Sequence, residues 1–392
     1  MADTHQHEIV VYGASGFTGR LVAEYLAQAY PDLDFAMAGR NADKLASVRA
    51  EMGIPNTVAL IEADANDPAS LDAMAAKAKC IITTVGPYQL YGEPLVAACA
   101  RAGTDYVDLS GEPAWMADMI RDYDAPAKAS GARIVHSCGF DSVPFDMGVH
   151  FLQKHAQERF GKPCSRVRTR VRAMKGTFSG GTAASFTETM KRAAEEPQII
   201  DVLKNPFALA FGPDGAFEGP KQPHGAKPLY EEDLKSWSAP FIMASINTKN
   251  VHRSNYLAGQ PYGADFVYDE MVLTGDGERG EAAARHVATT NAFGDEPPKP
   301  GEGPGKEERE TGFYDILLIG ETRDGETIRV GVKGKRDPGY GSTSRMISEC
   351  ALCLTRDVRE GGEGVGTPAA VFGVALIERL EAADVMHFAV EG

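Results

Sequence analysis

Three glycines at three-residue intervals follow a short apolar run near the start of the chain. The run from Ile9 to Tyr12 is β-branched and predicts a strand, and the residues after Gly19 predict a helix. Gly13 allows a tight turn out of the strand, Gly16 lets the backbone approach a phosphate closely, and Gly19 lets the helix pack on the sheet. Unpaired amides at the start of that helix would donate hydrogen bonds to the phosphates. The pattern predicts a dinucleotide site rather than an ordinary strand-to-helix turn.

The end of the second predicted strand indicates which dinucleotide binds. NAD-binding domains commonly place a carboxylate there, roughly 20 residues after the glycine loop, to accept hydrogen bonds from the ribose. Here the strand ends at Gly39 and is followed by Arg40 and Asn41, so a cation stands at its tip. Arg40 could hold a 2′-phosphate in a bidentate manner, and Lys44 could assist from one turn later. NADP(H) is favoured over NAD(H); the alternative is a pair of solvated cations with no ligand.

Further candidates for cofactor contact follow the third and fourth predicted strands. Asp64 could face the adenine or cap the next helix. The segment from Thr84 to Tyr88 should lie at the carboxyl edge of the sheet, where the ribose and nicotinamide pass. The predicted cofactor-binding residues are Gly13, Ser15, Gly16, Phe17, Thr18, Gly19, Arg40, Asn41, Lys44, Asp64, Val85, Gly86, Pro87 and Tyr88.

Four side chains are candidates for delivering a proton to a substrate that receives hydride from the cofactor. Tyr88 and Tyr91 follow the fourth predicted strand, and His136 and Asp141 end or follow the sixth, so all four should reach the cleft between domains. The alternatives are apolar packing for the tyrosines, a buried imidazole for His136 and a helix cap for Asp141. None of the 13 tyrosines has a lysine four residues later, so the Tyr-x-x-x-Lys mechanism of short-chain dehydrogenases is unsupported.

Two weaker patterns lie in the second half of the chain. The segment from Lys175 to Thr182 is rich in Gly, Ser and Thr and precedes a helix, so it could bind an anionic substrate group or form only a turn. Cys350 and Cys353 lack the second cysteine pair that a zinc site needs, and no metal is predicted. Six cysteines in so long a chain do not make a disulfide framework.

Strands and helices that alternate over residues 1–145 would position the cofactor residues. Repeated βα units of this kind form a parallel sheet, and six of them predict an α/β fold with an N-terminal doubly wound Rossmann domain. The predicted strands are Ile9 to Tyr12, Asp34 to Ala38, Thr57 to Ala63, Cys80 to Val85, Asp105 to Leu109 and Arg133 to Ser137, and the helices include Gly19 to Ala29, Ala42 to Met52, Pro68 to Lys77 and Pro94 to Ala102.

The pattern changes after the first domain and predicts a second, α+β substrate domain over residues 146–366. Arg166 to Ala173 predicts a longer strand, and Ala183 to Ala194 predicts a helix. Two alternating runs flank the turn dipeptide Asp324-Gly325 and predict a hairpin, because glycine accepts a positive φ. The second domain should therefore contain a mixed or antiparallel sheet.

Two segments near the end of the chain have distinctive compositions. Residues 295–310 are dominated by Pro, Gly, Glu and Lys, a composition that predicts an exposed loop. Residues 367–392 form the last predicted unit, a C-terminal helix whose apolar part runs from Thr367 to Leu380 and packs on either domain.

Four motifs in order resemble the saccharopine dehydrogenase-like oxidoreductases, a family that includes the mycobacterial trans-acting enoyl reductases. The motifs are Gly13-Ala-Ser-Gly-Phe-Thr-Gly19, Val85-Gly-Pro-Tyr-Gln-Leu-Tyr-Gly-Glu93, Tyr106-Val-Asp-Leu-Ser-Gly-Glu112 and Cys138-Gly-Phe-Asp-Ser-Val-Pro144. The resemblance implies a Rossmann domain followed by an α+β substrate domain. Its enoyl-reductase branch implies NADPH-dependent reduction of a carbon–carbon double bond in lipid precursors. The glycine loop is less similar to that of true saccharopine dehydrogenases.

The composition of the chain limits the classes of partner that it could bind. The chain has 392 residues, a formal charge of -15 and 43% hydrophobic residues, so it can bury a large core and should repel nucleic acid and anionic membranes. No apolar run is long enough for a transmembrane segment, and we expect a cytoplasmic enzyme with a small-molecule substrate. The leading hypothesis is an NADPH-dependent enoyl reductase. The alternatives are a nonenzymatic NADP(H) sensor or scaffold and a C=N reductase of the saccharopine dehydrogenase type; a carrier-bound acyl substrate and a homodimer stay open.

Overall fold

Two seven-stranded sheets organise the chain in the computed structural model, which describes residues 5–176, 179–290, 301–358 and 360–391. The first part of the chain alternates strands and helices as the sequence predicts. Its elements are β1 (His7–Tyr12), α1 (Phe17–Ala29), β2 (Phe35–Gly39), α2 (Ala42–Glu51), β3 (Ala59–Glu62), α3 (Pro68–Ala75), β4 (Ala78–Thr83), α4 (Tyr88–Tyr91), α5 (Glu93–Ala102), β5 (Asp105–Val107), α6 (Pro113–Ser130) and β6 (Arg133–Val135).

The strands of this part pair in parallel in the order β6-β5-β4-β1-β2-β3. Helices pack against the sheet, and β1, β2 and β4 are almost wholly buried, which explains their nearly continuous apolar runs. The strand order reverses between β1 and β4, so the loops after these two strands diverge and leave a crevice at the carboxyl edge. The predicted doubly wound parallel sheet is confirmed.

The remainder of the chain contains a second sheet and the helices around it. Its elements are α7 (Val143–Phe160), β7 (Arg166–Lys175), α8 (Gly180–Glu195), α9 (Ile199–Lys204), β8 (Phe211–Gly212), β9 (Gly215–Ala216), β10 (Leu229–Glu231), β11 (Ser236–Pro240), α10 (Ala244–Leu257), β12 (Val267–Gly275), α11 (Gly277–Thr289), α12 (Lys306–Thr311), β13 (Phe313–Glu321), β14 (Thr327–Lys335), α13 (Thr343–Leu352), β15 (Gly364–Gly366), α14 (Pro368–Phe372), α15 (Val374–Ala382) and β16 (His387–Glu391), with π-helical turns at Pro338–Ser342 and Cys353–Asp357.

The second sheet has the order β10-β11-β12-β7-β13-β14-β16. Only β12 and β7 pair in parallel among its neighbours, so the sheet is mixed, as one of the two predicted arrangements. The hairpin predicted at Asp324-Gly325 joins β13 to β14, and Gly325 has a φ of +85°. A left-handed residue is what the dipeptide signal predicts at this turn.

The C-terminal part differs from its prediction in two ways. The apolar stretch from Thr367 to Leu380 is not one helix, because Gly373 has a φ of +53° and separates α14 from α15. The glycine-rich segment before it is not only a connection, since Gly364–Gly366 is β15, a seventh strand that pairs in parallel with β6. The chain thus returns to the first sheet before β16 completes the second.

The segment predicted as an exposed loop, residues 295–310, is described only in part. Positions 295–300 lie outside the described residues. Within the remainder, Lys306–Thr311 forms α12, a short helix with no buried residue. The prediction of exposure agrees with this part, and residues 301–305 form a loop as predicted. From Lys306 the chain is helical instead, because a run of charged residues with good helix propensity stands there.

Helix α7 joins the two sheets. It begins directly after the loop that follows β6, and its buried face packs on β13 and β14 of the second sheet. At Gly148 a Cβ atom would lie 3.1 Å from Leu318 and 3.2 Å from Val332, so the glycine permits this close approach. The six cysteines are buried free thiols. Among the described helices, none has the length and apolar character needed to cross a membrane.

Candidate active site between the two sheets

A cleft of about 620 Å³ lies at the carboxyl edge of the first sheet. One wall is the glycine loop together with the loops that follow β2 to β6, and the opposite wall comes from α8, the start of α10 and the segment at Pro338 to Tyr340. Such a position, outside the strand ends where the strand order reverses, is where ligands bind in open parallel sheets. The cleft is therefore the candidate site.

The glycine loop leaves no room for side chains at two of its three glycines. Gly13 has a φ of +85°, and a Cβ there would lie 2.8 Å from both Thr84 and Val85. A Cβ at Gly19 would lie 2.2 Å from the carbonyl oxygen of Gly13, and one at Gly16 3.2 Å from the same atom. No side chain caps the start of α1. Its first backbone amides are therefore available to donate hydrogen bonds to a ligand in the cleft. This geometry fits a dinucleotide pyrophosphate.

Two cations lie at the end of the cleft beyond β2. Arg40 and Lys44 are exposed and line the cleft, and within the described ranges neither forms an ion pair. Asp64 lines the same end, and its Oδ1 accepts a hydrogen bond from the amide of Asn66, so it holds a turn instead of capping α3. The cap of α3 is Asp67. The uncommitted cations fit a 2′-phosphate.

The predicted cofactor residues divide into those that line the cleft and those that shape it. Gly19 packs α1 on the loop, Asn41 caps α2 by accepting from the amide of Lys44, and Pro87 follows a cis peptide bond at the start of α4. The residues of the predicted set that line the cleft are Gly13, Ser15, Gly16, Phe17, Thr18, Arg40, Lys44, Asp64, Val85, Gly86 and Tyr88.

Two predicted proton donors are held inside the protein. Tyr88 is 5% exposed, and its hydroxyl donates to the carbonyl of Thr83 and accepts from the amide of Leu109. Burial raises the pKa of Tyr88 well above its usual value. His136 is 1% exposed, its Nδ1 lies 2.7 Å from Asp108 Oδ2, and it does not line the cleft. Both side chains tie neighbouring strand ends together, which favours their structural alternatives.

Asp141 is placed differently. It lines the cleft in the loop between β6 and α7, and its helix-cap alternative is not favoured because Ser142 occupies the N-cap position. Burial raises the pKa of Asp141 to about 6, and a hydrogen bond with Thr182 of α8 opposes part of that rise. A carboxyl group that titrates near neutral pH at the surface of a cleft is suited to acid catalysis. Tyr91, the fourth candidate, also lines the cleft and is 40% exposed.

A buried carboxylate that the sequence reasoning missed connects the two walls. The amides of Tyr88 and Gln89 donate to Glu112 at 2.8 Å each, and the hydroxyl of Ser185 on α8 donates at 2.6 Å. Gln89 Nε2 also donates to Thr189 of α8. Burial raises the pKa of Glu112. Glu112 is the last residue of one of the four family motifs. The spacing of residues in the sequence does not indicate its contact with Ser185 of α8, which lies 73 residues later in the chain.

The far end of the cleft is apolar. Charged side chains among the described lining residues are limited to Arg40, Lys44, Asp64 and Asp141, and the first three lie at the glycine-loop end. An anion site at the start of α8 is not favoured, because Ser179 Oγ already accepts from the amide of Thr182 and Asp141 adjoins that residue. The apolar lining residues from the second domain are Met174, Phe186, Met190, Leu203, Phe241, Ile242, Met243 and Ile246.

The family model and the curated relatives that match this chain point to the same group of proteins. The family model described as saccharopine dehydrogenase NADP binding domain matches residues 9–135. A Mycobacterium tuberculosis protein named putative trans-acting enoyl reductase is 42% identical, over 98% of this chain and 97% of its own length. A Mycobacterium leprae protein named trans-acting enoyl reductase is 36% identical, over 98% of each chain.

A solved structure has the same fold. The apo saccharopine dehydrogenase (L-Glu forming) of Saccharomyces cerevisiae covers 98% of this chain and is itself covered completely, with a TM-score of 0.56 and 12% identity. At that identity the likeness concerns the fold alone. In the described residues, no group of three or more His, Cys, Asp or Glu side chains is arranged to hold a metal ion.

Proposed function

This chain belongs to the trans-acting enoyl reductases of the saccharopine dehydrogenase-like family, and from that premise we propose that its cleft reduces a carbon–carbon double bond of an acyl substrate, with Asp141 as the proton donor. The cofactor is NADP(H), which supplies the hydride when it is bound in its reduced form. Gly13, Gly16 and the start of α1 would hold its pyrophosphate, and Arg40 with Lys44 its 2′-phosphate.

The protein's part in the reaction is to orient the acyl group and to supply a proton. Reduction of an enoyl group adds hydride to the β-carbon and a proton to the α-carbon. Asp141 would donate that proton from its carboxyl oxygen and be left as a carboxylate that accepts a hydrogen bond from Thr182. Solvent then restores the proton. The single observation that carries the assignment is the position of Asp141 as the one charged side chain on the substrate side of the described lining.

The charge distribution favours a C=C substrate over a C=N substrate of the saccharopine type. An amino acid or keto acid carries carboxylates, which buried sites normally pair with arginine or lysine. The cations in the described lining are Arg40 and Lys44, which lie at the cofactor end. Asp141 would repel a second carboxylate at the other end, so an uncharged acyl group fits better. A nonenzymatic sensor would need no acid there at all.

The form of the substrate follows from the same cleft. Its outer rim carries exposed apolar side chains instead of cations, so an acyl chain can enter while a thioester-linked carrier stays outside. We therefore favour a carrier-bound acyl chain. The homodimer and the cytoplasmic location stay predictions from the sequence.

Two matched variants test the proposal, and each replaces one of the two carboxylates in the described lining of the cleft. Asp141→Asn removes the acid without changing size and should lower kcat for an enoyl thioester by about 100-fold or more, with the affinity for NADPH kept. Asp64→Asn, at the cofactor end, should change NADPH affinity more than kcat. In the unsubstituted enzyme kcat should fall as pH rises above about 6, because the active carboxyl is the protonated form. Full activity of the Asp141→Asn variant would rule Asp141 out as the donor.

A further inference from the structure

One face of α8 forms the wall of the cleft opposite Tyr91. Thr182, Ser185, Phe186, Thr189 and Met190 all line the cleft, and their spacing of three and four residues puts them on one side of the helix. The polar members lie toward Asp141 and Glu112 through the contacts of Thr182 and Ser185. The apolar members, Phe186 and Met190, form a surface suited to the apolar part of a substrate.

The segment that leads into α10 supplies another part of the wall that α8 belongs to. Ile242 and Ile246 line the cleft, and a Cβ atom at Gly111 would lie 3.1 Å from Ile246 Cδ1 and 3.9 Å from Met243 Cε. Gly111 precedes Glu112, whose carboxylate is bonded to Ser185 of α8. The loop after β5 therefore contacts both α8 and α10. The glycine lets Ile246 pack directly on this loop, and a side chain at position 111 would push Ile246 into the part of the cleft beside it, which we call the passage.

The outer end of this passage is unusually apolar for a protein surface. Phe186 is 47% exposed and Met190 is 51% exposed, beside Tyr91 of the opposite wall. Exposed apolar side chains that continue a ligand cleft mark a binding surface, and methionine adapts to ligands of varied shape. The lining carries no charge on this side apart from Asp141, within the residues described.

We infer that this passage, bounded by Gly111, Ile246, Phe186 and Met190, binds the alkyl chain of the acyl substrate, and that the packing of Ile246 on Gly111 sets the chain length and branching accepted. The inference rests on the proposed function, since it takes the reactive end of the acyl group to lie beside Asp141. The occupant is a flexible, uncharged chain, because Phe186, Met190 and Ile246 offer apolar contact and Asp141 is the one charged side chain on this side of the described lining. A chain with a charged end should be rejected.

The test measures kcat/KM for trans-2-enoyl pantetheine thioesters of 4 to about 16 carbons. Each buried methylene should raise kcat/KM by about fourfold until the passage is filled. Gly111→Val should lower the ratio of long-chain to short-chain kcat/KM by about tenfold or more, by the volume it adds. Ile246→Ala added to Gly111→Val should restore much of that ratio, because it returns the lost space. Leu257→Ala, an exposed apolar position at the other end of α10, is the matched control and should leave the ratio unchanged.

A binding measurement separates this inference from the proposed function. Saturated acyl pantetheine thioesters, which cannot be reduced, should bind the NADP⁺-loaded protein more tightly as the chain lengthens, and Gly111→Val should remove that gain. If binding behaves in this way while no enoyl thioester is reduced, the proposed function fails and the alkyl site stands. If enoyl thioesters are reduced with no dependence on chain length, the alkyl site is wrong. A loss of affinity in a Phe186→Ser variant that is equal for the shortest and longest chains would show that the rim binds the carrier instead, and would also overturn it.

Discussion

Arg40 is the residue that we propose selects NADPH over NADH. Its guanidinium lies at the tip of β2, lines the cleft and has no ion pair within the described chain. We expect Arg40→Ala to weaken NADPH binding by about 10-fold to 100-fold and to leave NADH binding nearly unchanged, since a bidentate contact to phosphate contributes about 1.5–3 kcal/mol. Fluorescence titration with both nucleotides measures this. Arg285→Ala, an exposed arginine of α11 that is ion-paired, is the control, and equal affinity of the unsubstituted protein for NADPH and NADH would contradict the role of Arg40.

At the residue scale, local sequence patterns indicate the residues of the cofactor end more directly than they indicate an acid. Glycines that a Cβ would obstruct and a cation after β2 are local features, so their spacing is informative without the fold. Tyr88 and His136 have residue types suited to proton transfer, but their hydrogen bonds to Thr83 and Asp108 are set by neighbouring strands. Asp141 was among the candidates, and it stands apart because the fold places it in the lining of the cleft beside Thr182 of α8, where burial raises its pKa to about 6.

At the element scale, Glu112 links α8 to the segment that follows β4. Glu112→Gln keeps one acceptor oxygen where three donors converge, so it should lower the free energy of unfolding by about 2 kcal/mol or more. Ser185→Ala removes only the bond from α8 and should cost about 1 kcal/mol. Denaturant unfolding measures both. Equal stability of the Glu112→Gln variant and the unsubstituted protein would show that the carboxylate does not hold the walls together.

Several elements could not be predicted from local pattern. Strand β15 has three residues and is rich in glycine, and it forms because β6 offers it an open parallel edge. Helix α10 carries buried polar side chains, among them Asn247, Lys249 and Arg253, so it lacks the apolar stripe that identifies a core helix. Those side chains are satisfied by distant partners, as when Arg253 donates to the carbonyl of Val365 in β15. The regular βα units, by contrast, were predictable from periodicity.

At the scale of the whole molecule, buried acids join α10 to the second sheet and to α7. Glu270 of β12 accepts from Asn247 of α10, and Asp146 of α7 accepts from Ser254 of α10 and from the amide of Ala369. Burial raises the pKa of Glu270 to about 8 and that of Asp146 to about 7. The folded state therefore binds protons that the unfolded state has already lost, and these groups reduce stability as pH rises.

We expect this proton binding to be visible in the Glu270→Gln variant. Between about pH 4.5 and pH 8 the free energy of unfolding of the unsubstituted protein should fall relative to that of the variant, by at most about 1.4 kcal/mol per pH unit, and level off above pH 8. The amide is uncharged and close in shape to a protonated carboxyl, with an acceptor oxygen and an NH2 group that can donate in place of the O–H. Glu278→Gln, in the first turn of α11, serves as the exposed control. Parallel pH profiles of the Glu270→Gln variant and the unsubstituted protein would mean that Glu270 ionises normally.

We propose that this cleft adds hydride and a proton across a carbon–carbon double bond, with Asp141 as the acid. A single-turnover reaction in D₂O with NADPH deuterated at the transferred position of its nicotinamide, analysed by mass spectrometry of the acyl product, tests it most directly. We expect one deuterium from NADPH at the β-carbon and one from solvent at the α-carbon, and the Asp141→Asn variant should lose both labels together. Turnover that leaves the double bond intact, or deuterium from NADPH on a nitrogen-bearing carbon of an imine substrate, would contradict it.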